Sequence, residues 1–269
     1  MATLVRGKIG YALGGGGARG MSHIGVIKVL EEHRLFPEVI AGTSIGALIG
    51  ALYAGGLKAS EIEQWALGVG WRRMALLVDP GLSVSGLVHG KRITSMLKTL
   101  LGDVMFSDLK LGFACVATDI LNGQEVVLDG GSVIKAVRAS ISVPGILTPV
   151  KVGGRYLVDG GLVNEVPVST CRNMGAEYVV GVNVVPDPAG MPQESESKRP
   201  PTLVKVLSQS LLIAGHRVAM QNLETADLAI SPAVGKIGFF QFDKAAEAIA
   251  AGEEAAHHAL HQTGMPYGS

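Results

Sequence analysis

The stretch Gly42-Thr43-Ser44-Ile45-Gly46 decides the reading of this chain. It is a G-x-S-x-G pattern, and its flanks matter more than the pattern itself. Glu38-Val39-Ile40-Ala41 before it is short and apolar enough for a buried strand, and Ala47 to Ala54 after it reads as a helix that Gly55-Gly56 stops. Strand, sharp turn and helix is the setting in which such a serine becomes a nucleophile. Gly42 and Gly46 spare the turn two β-carbons that would clash there. The turn leaves the Ser44 hydroxyl clear of the sheet, over the positive end of a helix. A glycine-flanked serine that merely caps a packed helix is the structural alternative.

Working outward on the N-terminal side, Lys8 to Leu13 predicts a first strand that runs into Gly14-Gly15-Gly16-Gly17-Ala18-Arg19-Gly20. Met21 to His33 then has the apolar spacing of a helix. A glycine loop between strand and helix gathers backbone N–H groups into one anion-binding concavity. Gly15-x-Gly17-x-x-Gly20 fits the dinucleotide fingerprint, but no acidic residue closes a second strand about 20 residues on. The phosphate-loop pattern fails because Met21 stands where Lys is needed. An oxyanion hole built from Gly15, Gly16 and Gly17 is the use that explains a nucleophile on the next strand.

Outward on the other side, Arg155 to Val158 predicts a strand ending at Asp159-Gly160-Gly161. A carboxylate within reach of a serine hydroxyl can take its proton and later activate water. A second Asp-Gly-Gly stands at Asp129, between the predicted strand Gln124 to Leu128 and a helix capped by Ser132, and reads as a turn.

With these residues in view, Leu13-Gly14-Gly15-Gly16-Gly17-Ala18-Arg19-Gly20 followed by Gly42-Thr43-Ser44-Ile45-Gly46 resembles the patatin-like phospholipase family, in its bacterial branch related to neuropathy target esterase. Ala139-Ser140-Ile141-Ser142-Val143-Pro144, Val158-Asp159-Gly160-Gly161-Leu162 and Asn164-Glu165-Val166-Pro167 extend the likeness. The resemblance implies a serine–aspartate dyad of Ser44 and Asp159, with Asp159 preferred over Asp129 by its place after the Ala-Ser motif. Arg19 would fix the loop or contact a phosphate. The expected substrate is a lipid or lysolipid ester, with no metal and no organic cofactor. Two other classes remain open: a Ser–Asp–His triad completed by His216, His257, His258 or His261, and a non-catalytic acyl-binding protein of the same fold.

Composition agrees with this reading. Of 269 residues, 48% are hydrophobic and 17% charged, which suits a parallel sheet buried on both faces. The expectation is one three-layer α/β/α domain with a mainly parallel sheet. Residues 8–168 would form its catalytic core, and 169–269 the C-terminal part of the same domain, with a mobile loop about 187–201. A formal net charge of zero argues against a nucleic-acid partner. Two cysteines, Cys115 and Cys171, suggest no disulfide framework. No secretory signal is apparent, so the expected location is cytoplasmic, with transient contact at a membrane surface. The basic-apolar residues 71–77 could line a lid or touch lipid, though a packed amphipathic helix is the plainer expectation. The clustered His257, His258 and His261 lack an acidic partner at ligand spacing, so no metal site is expected.

Overall fold

β1 (Ile9–Leu13) alternates strictly between two environments, and that alternation sets the layers. Ile9, Tyr11 and Leu13 enter the larger core, whereas Ala12 faces a second, smaller one with Val39 and Ala41. Such burial on both faces requires a helical layer on each side. In the computed structural model, which describes residues 7–68, 90–191 and 203–263, both layers are present.

The remaining strands are β2 (Val39–Thr43), β3 (Gly112–Asp119), β4 (Glu125–Leu128), β5 (Val150–Val152), β6 (Arg155–Asp159), β7 (Tyr178–Val182) and β8 (Leu228–Ile230). The helices are α1 (Ser22–Glu32), α2 (Ile45–Ala54), α3 (Ala59–Gly68), α4 (Lys91–Leu101), α5 (Val133–Ser140), α6 (Val168–Asn173), α7 (Leu203–Leu223) and α8 (Ala245–Gln262). The strands form one eight-stranded sheet in the order β5-β6-β3-β2-β1-β7-β8, with β4 paired to β3 off that path. β3, β2, β1, β7 and β8 are parallel, while β4, β5 and β6 are antiparallel to their neighbours. The expected α/β architecture holds, with a mixed, mostly parallel sheet. Residues after 168 supply β7 and β8 to the same sheet, so both parts of the chain share one core.

α8 is held by contacts of backbone on backbone. A β-carbon on Gly25 of α1 would lie 2.0 Å from the Ile249 carbonyl oxygen, and one on Gly252 of α8 would lie 2.0 Å from that of Ser22. The two helices approach as closely as they do because both positions lack side chains.

α3 starts at Ala59, and Glu61 in its first turn accepts the Lys58 N–H at 2.8 Å. β5 and α6 were not anticipated; each is short, three and six residues, below the length at which periodicity is legible. Residues 71–77, and the expected loop from 192 onward, lie outside the described residues. Among the described residues no helix is long and apolar enough to cross a membrane.

Gly252→Ala should lower unfolding free energy by about 1–3 kcal/mol through overpacking against α1. Urea denaturation would check it; an unchanged midpoint would show that α8 is free to shift away.

Candidate active site

β3 carries the geometry that builds the site. β2 runs beside Gly112–Val116 and ends with Thr43 opposite Val116. β4 covers Cys115–Thr118, so it must occupy the other edge of β3. β6 pairs with Ala117–Asp119 while β4 pairs with Ala117 and Thr118 as well. A strand residue has only two edges, so β6 lies on the same edge as β2, immediately beyond it. Thr43 faces Val116 and Asp159 faces Ala117. Two strands thus arrive head-on, their last residues about one residue step, roughly 3.3 Å, apart along β3. It is an antiparallel strand that brings the carboxyl to the level of the turn.

Ser44 turns out of the sheet at that junction with φ 54° and ψ −121°, a left-handed conformation that a residue with a β-carbon adopts only under strain. Gly42 and Gly46 are needed for it: β-carbons there would lie 2.5 Å from the Ala47 nitrogen and 2.1 Å from the Leu13 carbonyl oxygen. The strained N–H is not left unpaired. It donates to Ser140 Oγ at 2.9 Å, and Ser140 in turn donates to the Val116 carbonyl at 2.6 Å. Two residues on, the Ser142 carbonyl accepts the Asp159 N–H at 3.0 Å. Buried Arg138 donates to Ser142 Oγ at 2.6 Å and to the Thr148 carbonyl at 3.3 Å. The Ala-Ser-x-Ser motif is therefore a bracket that grips the backbone of both Ser44 and Asp159. The sequence marked it only by family likeness; no local pattern announces such a bracket.

Asp159 is buried, and its Oδ1 accepts the Gly161 N–H at 2.9 Å. Oδ2 has no full hydrogen bond among the described residues. Burial raises the carboxyl to about 6, while the nearby Ser44 hydroxyl and the Gly161 N–H act in the opposite sense.

Of the three predicted loop donors, Gly15 is corrected. Its N–H already donates to the Glu165 carbonyl at 3.2 Å, and that of Gly14 donates to Val182 at 3.0 Å. Gly16 (φ 150°) and Gly17 (φ 62°) hold conformations suited to glycine, and among the described residues their N–H groups have no acceptor. The Ile45 N–H, in the first turn of α2, also has none, and the sequence reading missed it. Arg19 is 4% exposed and its Nε donates to the Ile237 carbonyl at 2.6 Å. That contact ties the loop to the C-terminal segment and leaves the side chain too buried to reach an external phosphate.

The histidines are spread over the fold, with His216 on α7 next to Gly215, whose β-carbon position lies 3.5 Å from Glu165 Oε2. His257 faces His33 where α8 packs on α1, and His258 pairs with Gln262 on its own helix. His23 sits below the loop, 2.8 Å from the Gly14 carbonyl, and burial lowers it to about 4. Asp129 is in an exposed turn before Ser132, which caps α5 by accepting the Lys135 N–H.

Ser44 and Gly17 open onto a cavity of about 150 Å³, walled by Leu48, Met96, Ile146, Phe239 and other apolar side chains. The Phe239 carbonyl accepts the Ala18 N–H at 2.9 Å, so one wall is anchored to the glycine loop itself.

Residues 11–172 match the family described as "Patatin-like phospholipase". An uncharacterized NTE family protein of Mycobacterium tuberculosis is 35% identical over 199 residues, covering 72% of this chain and 55% of its own length. A second NTE family protein of that species is 31% identical over 284 residues, covering 97% of this chain and 48% of its own. The Lysophospholipase NTE1 of Debaryomyces hansenii is 34% identical over 181 residues, covering 65% of this chain and 12% of its own. The chain thus spans about half the length of the mycobacterial relatives. Among solved structures, VipD from Legionella pneumophila superposes with a TM-score of 0.56 at 15% identity, covering 96% of this chain and 67% of its own. The sheet order, the strained serine turn and these matches agree: the chain belongs to the patatin-like phospholipase family, a family of lipid-hydrolase type.

Ser140→Ala should leave the Ser44 N–H unpaired and buried, destabilising the fold by about 1–3 kcal/mol. Chemical denaturation of the variant checks this; a neutral result would mean the turn does not depend on the bracket.

Proposed function

We propose that this protein is a serine acyl hydrolase acting on lipid or lysolipid esters through Ser44 and Asp159. The observation that carries the reading is the head-on meeting of β2 and β6. It sets a strained, unblocked serine beside a buried carboxyl whose second oxygen lacks a partner, at the mouth of an apolar cavity. Asp159 takes the Ser44 proton on Oδ2 as Ser44 Oγ attacks the ester carbonyl carbon. The oxyanion is received by the N–H groups of Gly16, Gly17 and Ile45, each worth about 3 kcal/mol in the transition state by comparison with other oxyanion donors. As the carbonyl reforms, the C–O bond to the alcohol breaks and the alcohol leaves with the proton from Asp159. Water, deprotonated by Asp159, then attacks the acyl-enzyme; the collapsing intermediate releases the fatty acid and returns the proton to Ser44. The acyl chain lies in the cavity against Leu48, Met96 and Phe239, which offer it dispersion contacts and no hydrogen-bonding demand.

We read the site as a dyad because the Ser44 hydroxyl acts directly on the Asp159 carboxyl; His257 packs against α1 and His258 bonds within its own helix. Asp159 must be ionised to act as base, so with its carboxyl raised to about 6 the rate should fall below about pH 6. The sheet shared by residues 8–168 and 169–269 supports treating both as one catalytic domain.

Ser44→Ala should abolish hydrolysis of a short p-nitrophenyl ester and labelling by a fluorophosphonate, with an unchanged thermal melt. Asp159→Asn should lose about 10²–10⁴ in rate, the usual worth of a general base. Asp129→Asn, in its exposed turn, should match the parent. Parent-like turnover in Ser44→Ala would remove the nucleophile; a larger loss at Asp129 than at Asp159 would remove the base. For the cavity, Met96→Trp should slow a long-chain ester at least about tenfold more than an acetate ester, since one large ring fills much of the space. Equal effects on both would place the acyl chain elsewhere.

A further inference from the structure

Glu165 is 7% exposed and takes no part in the reaction above. Its carboxyl is wedged between glycines of two separate motifs. A β-carbon on Gly15 would lie 2.4 Å from Oε1, and one on Gly161 would lie 2.1 Å from Oε2. The same two points are 3.2 Å from Ser44 Cβ and 3.3 Å from Asp159 Oδ1. The Glu165 carboxyl therefore touches the same two glycines as the side chains of the dyad. Its backbone is anchored as well: its N–H donates to Asn222 Oδ1 at 3.0 Å, and its carbonyl accepts the Gly15 N–H at 3.2 Å.

The groups facing it come from every neighbouring element. The turn after β6 presents Asp159. α7 presents Gly215, whose β-carbon position lies 3.5 Å from Glu165 Oε2, and His216 follows it. The glycine loop presents backbone, with His23 beneath it on the Gly14 carbonyl. Among the described residues no lysine or arginine forms an ion pair with Glu165.

We propose that Glu165 is a positioning acid that must carry a proton for the site to work, leaving the single negative charge of the two carboxyls on Asp159. This rests on the Ser44–Asp159 reading above. Its physical basis is that two carboxyls sharing a dry site cannot both ionise easily, so one holds the proton. Burial first, and the Asp159 carboxyl second, raise Glu165 to about 8, whereas Asp159 is raised only to about 6. Between those values Asp159 is the charged partner and Glu165 the neutral one. When Glu165 ionises, a negative charge lies against Gly15, next to the N–H groups that must receive the oxyanion. In a water-excluded site that charge opposes the transition state directly.

The consequence is a rate profile with two limbs. Turnover of a soluble ester by the parent protein should rise through about pH 6 and fall through about pH 8, about tenfold per unit beyond each limb. Glu165→Gln keeps the size and a hydrogen-bonding group but has no proton to lose. It should keep the acid limb and lose the alkaline one, so that its rate at pH 9 relative to pH 7 is several-fold higher than the parent's. An alkaline limb of parent shape in Glu165→Gln overturns the proposal, because a purely structural glutamate would leave the profile in place.

Stability gives a readout that needs no activity. A carboxyl whose folded pKa is raised from 4.5 to about 8 contributes stability that is full below about 4.5 and lost as pH rises towards 8. The melting temperature of Glu165→Gln should therefore gain on the parent's between pH 5 and 8; a constant difference overturns the proposal. Should the variant not fold, fluorophosphonate labelling of the parent across the same range decides. A maximum followed by a fall above about pH 8 supports the proposal, and a rate that only rises overturns it. If the parent hydrolyses no ester and takes no label while the melting difference behaves as stated, the hydrolase reading fails and the protonated Glu165 stands.

Discussion

The site depends on one edge of β3 being shared by two strands that meet end to end. β2 fills the edge as far as Val116, and β6 takes it over from Ala117. Neither strand can lengthen without colliding with the other, so each must leave the sheet at that point. β2 leaves by the strained turn at Ser44, and β6 by Asp159-Gly160. Gly160 has no choice of residue here, since its β-carbon would lie 2.4 Å from the Val116 carbonyl oxygen. That carbonyl takes its hydrogen bond from Ser140 Oγ instead. A single junction thus accounts for the strain at Ser44, the glycines after Asp159 and the small polar residue at position 140.

Much of this was legible in the sequence because it is local. The G-x-S-x-G stretch between an apolar run and a helix gives β2 and α2, and a composition 48% hydrophobic and 17% charged suits a sheet buried on both faces. The direction of β6 was not legible. Residues 155–159 read the same in a parallel or an antiparallel pairing, and the choice is made by partners on β3 that lie some 40 residues away in sequence. Nor was it visible that Gly15 spends its N–H on the Glu165 carbonyl, because that bond spans 150 residues of chain. Glu165 was quoted as part of a motif, yet its carboxyl gains meaning only when two distant glycines are seen to make room for it.

The strain and burial collected here have to be offset by the surroundings. Arg138 is buried with bonds to Ser142 and Thr148, and burial lowers its pKa; Arg19 is buried with a bond to Ile237 and is lowered for the same reason. A buried guanidinium is tolerated only with such partners, and removing them would leave an uncompensated charge. The two arginines consequently hold their segments firmly. Arg138 fixes the bracket around Ser44 and Asp159, and Arg19 fixes the glycine loop to residues 237–239.

That second tie joins the family-matched part of the chain to the segment that follows it. The family match ends at residue 172, and Ser44, Asp159, the glycine loop and the bracket all lie inside it. Phe239 and Phe240, which close one wall of the apolar cavity, lie beyond it. Their segment is tied to the loop by the Ala18 N–H on the Phe239 carbonyl and by the Arg19 side chain, whose Nε donates to the Ile237 carbonyl. A β-carbon on Gly17 would also lie 2.9 Å from the Phe239 ring, so this wall of the cavity and the loop that faces Ser44 are packed as one unit.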